Sequence, residues 1–162
     1  DKGVDAETIA NKMQFTFGIS TNYFFEIAKL RAARKLWQSI LSEFSVENTA
    51  MTIHSETSVE IDSKEDENFD ILRNTTKAMS AIIGGCDSLT VRPHDKKKLS
   101  FSNRISRNVQ HLLKEEAFFD KVNNPADGSY YIEHLTNEIS EKAWKKFQEI
   151  EKQGGYNSYN SK

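Results

Sequence analysis

Cysteine, proline and long apolar runs are nearly missing from this chain. Cys86 is its only cysteine, so neither an intrachain disulfide nor a cysteine metal cluster can form. A reducing, cytoplasmic setting is therefore expected. No apolar stretch approaches the ~20 residues of a membrane-spanning helix, and no signal peptide opens the chain. Neither sign of charge dominates: 22 Lys and Arg against 24 Asp and Glu leave a net charge of −2. That balance argues against electrostatic binding to nucleic acid or to a membrane surface. His54, His94, His111 and His134 fall at no ligand spacing, so no metal is expected. Phosphate-cradling loops of the G-x-G-x-x-G or Walker type are absent. The first residue is Asp1 rather than Met, so the chain reads as a piece of a longer protein.

What is present is one domain's worth of chain, 162 residues, with a modest hydrophobic share of 37%. Ala6–Met13 has some helical character, and Gln14–Ser20, with its aromatics and Gly18, reads as a break. From Tyr23, the residues Ile27, Leu30, Ala33, Trp37, Ile40, Leu41 and Phe44 recur at helical spacing. Met51–Ser58, M-T-I-H-S-E-T-S, starts as a β-branched run and reads as a strand. Val59–Glu67 is acidic and reads as a surface loop. Phe69, Leu72, Thr76, Met79, Ile82 and Ile83 mark the next helix, stopped at Gly84-Gly85. Ser88–Val91 is a short β-prone run. A helix capped by Ser100 or Ser102 follows, with Ile105, Val109, Leu112 and Leu113 as its stripe. Pro125–Gly128 is a turn signal. The last helix carries Tyr131, Leu135, Ile139, Ala143, Phe147 and Ile150 up to Gly154-Gly155. Residues 1–155 thus form one α/β unit, and 156–162 an Asn/Ser-rich flexible tail. Two or three short strands cannot close a sheet on themselves, so the unit looks incomplete.

His54 and Glu56 lie two apart, so on a strand they share a face. They either line a pocket at the strand's C-terminal end or sit on a solvated strand end. Cys86 reads as a small buried hydrophobe, and Lys96–Lys98 as a solvated basic triplet. Phe24-Phe25 and Tyr130-Tyr131 read as core, and His134 as surface.

Several stretches together resemble the methylmalonyl-CoA mutase family. Asn22–Trp37, N-Y-F-F-E-I-A-K-L-R-A-A-R-K-L-W, is similar to that family's F-F-x-E-I-A-K-L-R-A-A-R-x-L-W. His54–Ser58, H-S-E-T-S, resembles H-S-Q-T-S. Arg104–Gln110, R-I-S-R-N-V-Q, resembles R-I-A-R-N-x-Q, with Glu115-Glu116 after it. Pro125–Glu133, P-A-D-G-S-Y-Y-I-E, is similar to P-x-G-G-S-Y-Y-V-E, and Trp144–Gly155 to the closing A-W-x-x-F-x-x-I-E-x-x-G-G. The resemblance implies the C-terminal portion of a (β/α)8 TIM-type barrel that binds an acyl-CoA thioester. It also implies a radical rearrangement of methylmalonyl-CoA and succinyl-CoA that uses adenosylcobalamin.

The departures from that pattern bear on activity. Val59-Glu60 stands where catalytic chains carry a Gly-Trp pair against the cobalamin, and Glu56 replaces their Gln. Where they read L-H-T-N-A-L-D-E-A-L-A, this chain reads Leu89-Thr-Val-Arg-Pro-His-Asp-Lys-Lys-Lys-Leu99. Lys96 then replaces a Glu, and Lys97 and Leu99 replace alanines at cobalamin-facing positions. The family's D-x-H-x-x-G lower-ligand motif does not occur. The resemblance therefore implies the small, non-catalytic chain of a heterodimeric mutase, partnered by the large catalytic subunit, which would hold the adenosylcobalamin. On this reading no residue here is catalytic, and His54 and Glu56 are substrate-pocket candidates. Two alternatives are a competent acyl-CoA mutase chain whose cobalamin domain lies on another polypeptide, and a stand-alone α/β interaction module. A third of a barrel exposes strand edges and helix faces. The chain is predicted to self-associate or to be only marginally stable, and light scattering that finds a compact, stable monomer contradicts this.

Overall fold

Three parallel strands, each followed by a helix, make up the centre of the chain. The computed structural model describes residues 3–47, 49–58, 67–95 and 97–155. In order these form α1 (Ala6–Ala10), β1 (Gln14–Ile19), α2 (Tyr23–Glu43), β2 (Thr52–Thr57), α3 (Glu67–Ile83), β3 (Ser88–Thr90), α4 (Leu99–Glu115) and α5 (Tyr130–Lys152). The sheet order is β1-β2-β3, and both pairings are parallel. The fold is thus a mixed α/β arrangement with a small parallel sheet. Most of the acidic loop expected at 59–67 and the tail expected at 156–162 lie outside the described residues. No helix among the described residues is long and apolar enough to cross a membrane.

Side-chain alternation gives this sheet two unlike faces. Ile19, Ile53 and Met51 pack with Leu30 and Ala81, joined by Phe15, Phe17, Trp37 and Leu89. Farther along, Val91 packs with Ala78, Val109 and Leu113. These contacts place α2, α3 and α4 on one face. The opposite face carries Gln14, Thr16, Gly18, Thr52, His54, Glu56, Ser88 and Thr90, all exposed or half-buried. A buried side, mostly apolar but including Ser55 and Thr57, and an exposed polar side hold the register, because a one-residue slip would exchange the two sets.

β1 corrects the sequence reading, which took Gln14–Ser20 as a break. Phe15, Phe17 and Ile19 alternate with Thr16 and Gly18, the period of a half-buried strand. Gly18 is tolerated because it sits on the open face, where an added Cβ would meet nothing within 4 Å. The helix start expected at Ser100 or Ser102 also moves. Lys98 is the N-cap residue of α4, and Ser102 is fully buried.

Two apolar stripes, those of α5 and α3, are rotated from their expected positions. In α5 the buried residues are Ile132, Thr136 and Ser140, while Tyr131 and Phe147 are largely exposed. Thr136 and Ser140 hydroxyls each donate at 2.7 Å to the carbonyl four residues back. Their polarity is thereby satisfied inside the helix, and their small size lets α5 lie close against α2. In α3, Asp70, Lys77, Ala78, Ser80 and Ala81 are buried, whereas Phe69 and Leu72 are exposed. The α4 stripe holds apart from Leu112: Val109 and Leu113 are buried and Ile105 half-buried. Phe24, Phe25, Tyr130 and Tyr131, expected in the core, are exposed as well. Phe24 instead stands edge-on between Tyr23 and Tyr131, with centroids 5.4 and 5.5 Å apart.

The ends of the strands opposite their carboxyl termini are tied by one polar clasp. Asp87 accepts from the Ile53 amide at 2.7 Å and from the Arg34 guanidinium at 2.8 Å. Arg34 donates in addition to the carbonyls of Gly85, at 2.6 Å, and Met51. This joins α2, the start of β2 and the turn after α3. That turn needs its glycines: Gly85 has φ +84°, and a Cβ on Gly84 would lie 3.0 Å from Leu30. Ile53→Ala is predicted to cost about 2–5 kcal/mol of unfolding free energy, against roughly 0.5 or less for Thr52→Ala on the open face. Denaturant titration measures both.

Candidate functional site

The open face of the sheet is where the predicted site residues meet. β2 presents His54 and Glu56 side by side, as their spacing requires. In register with them stand Thr16 and Gly18 on β1 and Ser88 and Thr90 on β3. His54 Nδ1 lies 2.8 Å from Ser88 Oγ, and its Nε2 lies 3.3 Å from Thr90 Oγ1. A hydroxyl serves as donor or acceptor, so either neutral tautomer of His54 is satisfied. Glu56 accepts from Arg92 at 2.7 Å. That hydrogen bond, with the carboxylate charge behind it, pushes the Arg92 guanidinium pKa up. Both candidates are thus occupied by partners from β3 and its continuation.

Arg92, Ser88 and Thr90 were not singled out from the sequence. A signal existed: in Ser88-Leu-Thr-Val-Arg92 the polar residues alternate with Leu89 and Val91, which marks 88, 90 and 92 as one face. What the alternation of one strand cannot reveal is its pairing register with another. The backbone of Arg92 is pinned from several sides. Its amide donates to Thr57 Oγ1 at 2.9 Å, and its carbonyl accepts from Asn74 at 3.2 Å and Ser106 at 3.0 Å.

The turn beyond β3 is equally fixed. The Asp95 amide donates to Ser102 Oγ at 2.9 Å, and that oxygen lies 3.0 Å from His94 Nδ1. The Asp95 carboxylate accepts from the Lys97 amide at 2.6 Å, a bond that holds its pKa below the usual carboxylate range. Its stabilising effect is therefore complete above the unfolded-state pKa and is lost as pH falls through the folded value. Lys97 is exposed, and Leu99, the first residue of α4, is about half exposed at 51%. Val59, Glu60 and Lys96 lie outside the described residues.

At the carboxyl end of β1, buried Glu26 accepts from Ser20 at 2.7 Å and pairs with Lys29. Lys29 also donates to the Gly18 carbonyl at 2.7 Å. At the end of β2, buried Lys77 donates to the Ser58 carbonyl at 2.7 Å. Sequence reading missed both groups, because a charged residue in a helix looks solvent-facing until its neighbours are known. Cys86 is half-buried against the Ile19–Ile53 cluster. Burial pushes its thiol pKa up, which makes it a poor nucleophile. Exposed His134 takes no part. Among the described residues no three His, Cys, Asp or Glu side chains converge as a metal site would require. In a double-mutant cycle on Glu56→Gln and Arg92→Gln, each single change lowers the melting temperature and the double change costs no more than either. The coupling shrinks at high salt, as expected for a partly exposed pair.

Comparison with known proteins places this geometry in a family. The family model described as methylmalonyl-CoA mutase matches residues 1–159. The methylmalonyl-CoA mutase small subunit of Porphyromonas gingivalis is 47% identical, over 96% of this chain and 26% of its own length. The methylmalonyl-CoA mutase of Rhizobium meliloti is 41% identical, over 95% of this chain and 22% of its own. The large subunit from Porphyromonas gingivalis is 38% identical, over 96% and 22% respectively. The chain therefore spans about a quarter of the length of these relatives. A small and a large subunit occur together in one of those organisms, an arrangement in which two related chains coexist. Because the family model matches residues 1–159 and the identity reaches 47% over 96% of it, this chain belongs to the methylmalonyl-CoA mutase family.

Proposed function

We propose that this chain is part of the small, non-catalytic subunit of a heterodimeric methylmalonyl-CoA mutase. In this role it supports a large subunit that interconverts methylmalonyl-CoA and succinyl-CoA with adenosylcobalamin. The observation that carries the reading is that both pocket candidates, His54 and Glu56, are already engaged by neighbours on the open face. Glu56 is neutralised by Arg92 at 2.7 Å, and both ring nitrogens of His54 face hydroxyls. A site built to take a thioester keeps polar groups free to meet it. Here the two candidates are already met, and among the described residues on this face the Ser58 hydroxyl at the end of β2 is buried without a partner.

The strand order supports a barrel origin for the unit. Successive parallel strands are neighbours and their helices share one face, the winding from which a (β/α)8 barrel is built. On that reading the polar face points to the barrel axis, and Glu56, Ser58 and Arg92 stand at the carboxyl ends of their strands.

The described residues fit adenosylcobalamin poorly. A flat macrocycle approaches closely only where side chains are small. The start of α4 instead presents the exposed ammonium chain of Lys97 and the half-exposed Leu99. The cofactor and the chemistry it supplies are accordingly assigned to the partner subunit, in a cytoplasmic enzyme. Identity runs higher to the small subunit, at 47%, than to the large subunit of the same organism, at 38%.

Two measurements test the proposal. Adenosylcobalamin titrated into the chain, with and without a separate cobalamin-domain protein, is predicted to leave the corrin spectrum unchanged. The chain within its full-length subunit is predicted to co-purify with a cobalamin-bearing mutase chain and to have no turnover by itself. A corrin shift, or turnover without the large subunit, would overturn the proposal in favour of a competent acyl-CoA-binding chain. Failure to co-purify would favour an independent interaction module.

A further inference from the structure

Where α2, the end of α3 and α5 come together, the described residues form a polar cleft of about 440 Å³. Its walls are those three helices, the turn after α3 and Asn124 from the segment before α5, and none of its lining residues belongs to a strand. Beside it the same helices meet through apolar side chains, Ile27, Ala126 and Ile132 with Tyr23 and Ile83. At the cleft the contact turns polar. Gly84 and Gly85 line it without side chains, which leaves space between α2 and α5.

Hydrogen-bond donors outnumber acceptors in this cleft. Arg31 donates to the side-chain oxygen of Asn124 and to Glu133, the one carboxylate that lines the space. Arg34 is taken up by Asp87 and by the carbonyls of Met51 and Gly85. Lys35 is different. It donates to the side-chain oxygen of Asn137 at 2.8 Å, and no carboxylate among the described residues pairs with it. A cation fixes how a carboxamide points, because only the amide oxygen can accept. Asn124 and Asn137 therefore turn their oxygens to Arg31 and Lys35, and their NH2 groups have no acceptor among the described residues. The Thr136 hydroxyl is spent on the Ile132 carbonyl. Arg31 Nε is buried in the wall without a partner. This is unlike the open face of the sheet, where His54 and Glu56 are already engaged.

We propose that this cleft binds a small oxyanion, a phosphate group or a carboxylate, held by Lys35 and by the amide groups of Asn137 and Asn124. The ammonium supplies the charge, and the amides supply neutral donors that a chloride ion would use less well. Arg31, fixed between Asn124 and Glu133, adds its positive charge to the wall. Lys35 belongs to α2 and Asn137 to α5, so the bound anion joins the two helices. Because it binds only where they are docked, it stabilises that docking by mass action. The inference is independent of whether the chain is catalytic.

Calorimetric titration of the full-length protein that contains this chain tests it. The probes are inorganic phosphate and acetate, with chloride at matched ionic strength as the control. One or both oxyanions are predicted to bind saturably at millimolar concentration and chloride is not, and the tighter of the two names the ligand class. Lys35→Gln is predicted to weaken that binding by about tenfold or more. Asn137→Asp sets a carboxylate against Lys35 and is predicted to close the site while α5 stays docked. Thermal melts give a second readout. The wild-type melting temperature is predicted to rise with the bound oxyanion beyond the general salting effect that both variants still show. No saturable binding of either oxyanion, or equal binding by the wild type and both variants, would overturn the proposal.

Discussion

Everything on the open face depends on the burial of Ile19 and Ile53 against α2 and α3. Both are fully buried beside Leu30 and Ala81. Strand side chains alternate, so this one constraint commits Thr52, His54 and Glu56 to the other side. It also brings Ser88 and Thr90 opposite them. Sliding β2 by a single residue would place His54 and Glu56 in an apolar layer at a prohibitive desolvation cost. The core therefore selects which polar groups can meet, and the site inherits its geometry from packing. The Arg34–Asp87 clasp reinforces this by anchoring the Ile53 amide at the opposite end.

The chain uses charged and hydroxyl side chains as structural parts. Glu26, Lys77 and Asp95 are buried, yet each has an identified partner. Serines and threonines occupy buried positions on α3, α4 and α5. A buried hydroxyl that bonds its own helix or an adjacent loop is small and carries no unmet polarity. This explains how a chain with a 37% hydrophobic share forms an ordered unit.

Helix positions were legible in the amino-acid sequence, and helix faces less so. α2 lies where its repeat placed it, α3 and α5 end at their expected glycine stops, and β2 differs from the expected strand only at its ends. β1 was hidden because Gly18 and two phenylalanines resemble a break when the partner strand is unknown. The faces of α3 and α5 were misjudged for a related reason. Periodicity locates apolar residues, whereas burial here follows small ones such as Ala78, Ala81, Thr136 and Ser140 that permit close approach. The large residues left outside, Phe69, Leu72 and Tyr131 among them, mark surfaces that the described residues do not cover. That His54 and Glu56 share a face followed from their spacing alone. Their partners Ser88, Thr90 and Arg92 lie 34 to 36 residues away, and such pairings are set by register, which no local pattern encodes.

The central claim is that His54 and Glu56, engaged by their own neighbours, are a remnant rather than working groups. Its most direct test is turnover in the reconstituted two-chain enzyme, with His54→Ala and Glu56→Ala introduced on this chain alone. The account predicts an unchanged kcat per assembled heterodimer for both variants. A fall in kcat of tenfold or more in correctly assembled enzyme would contradict it.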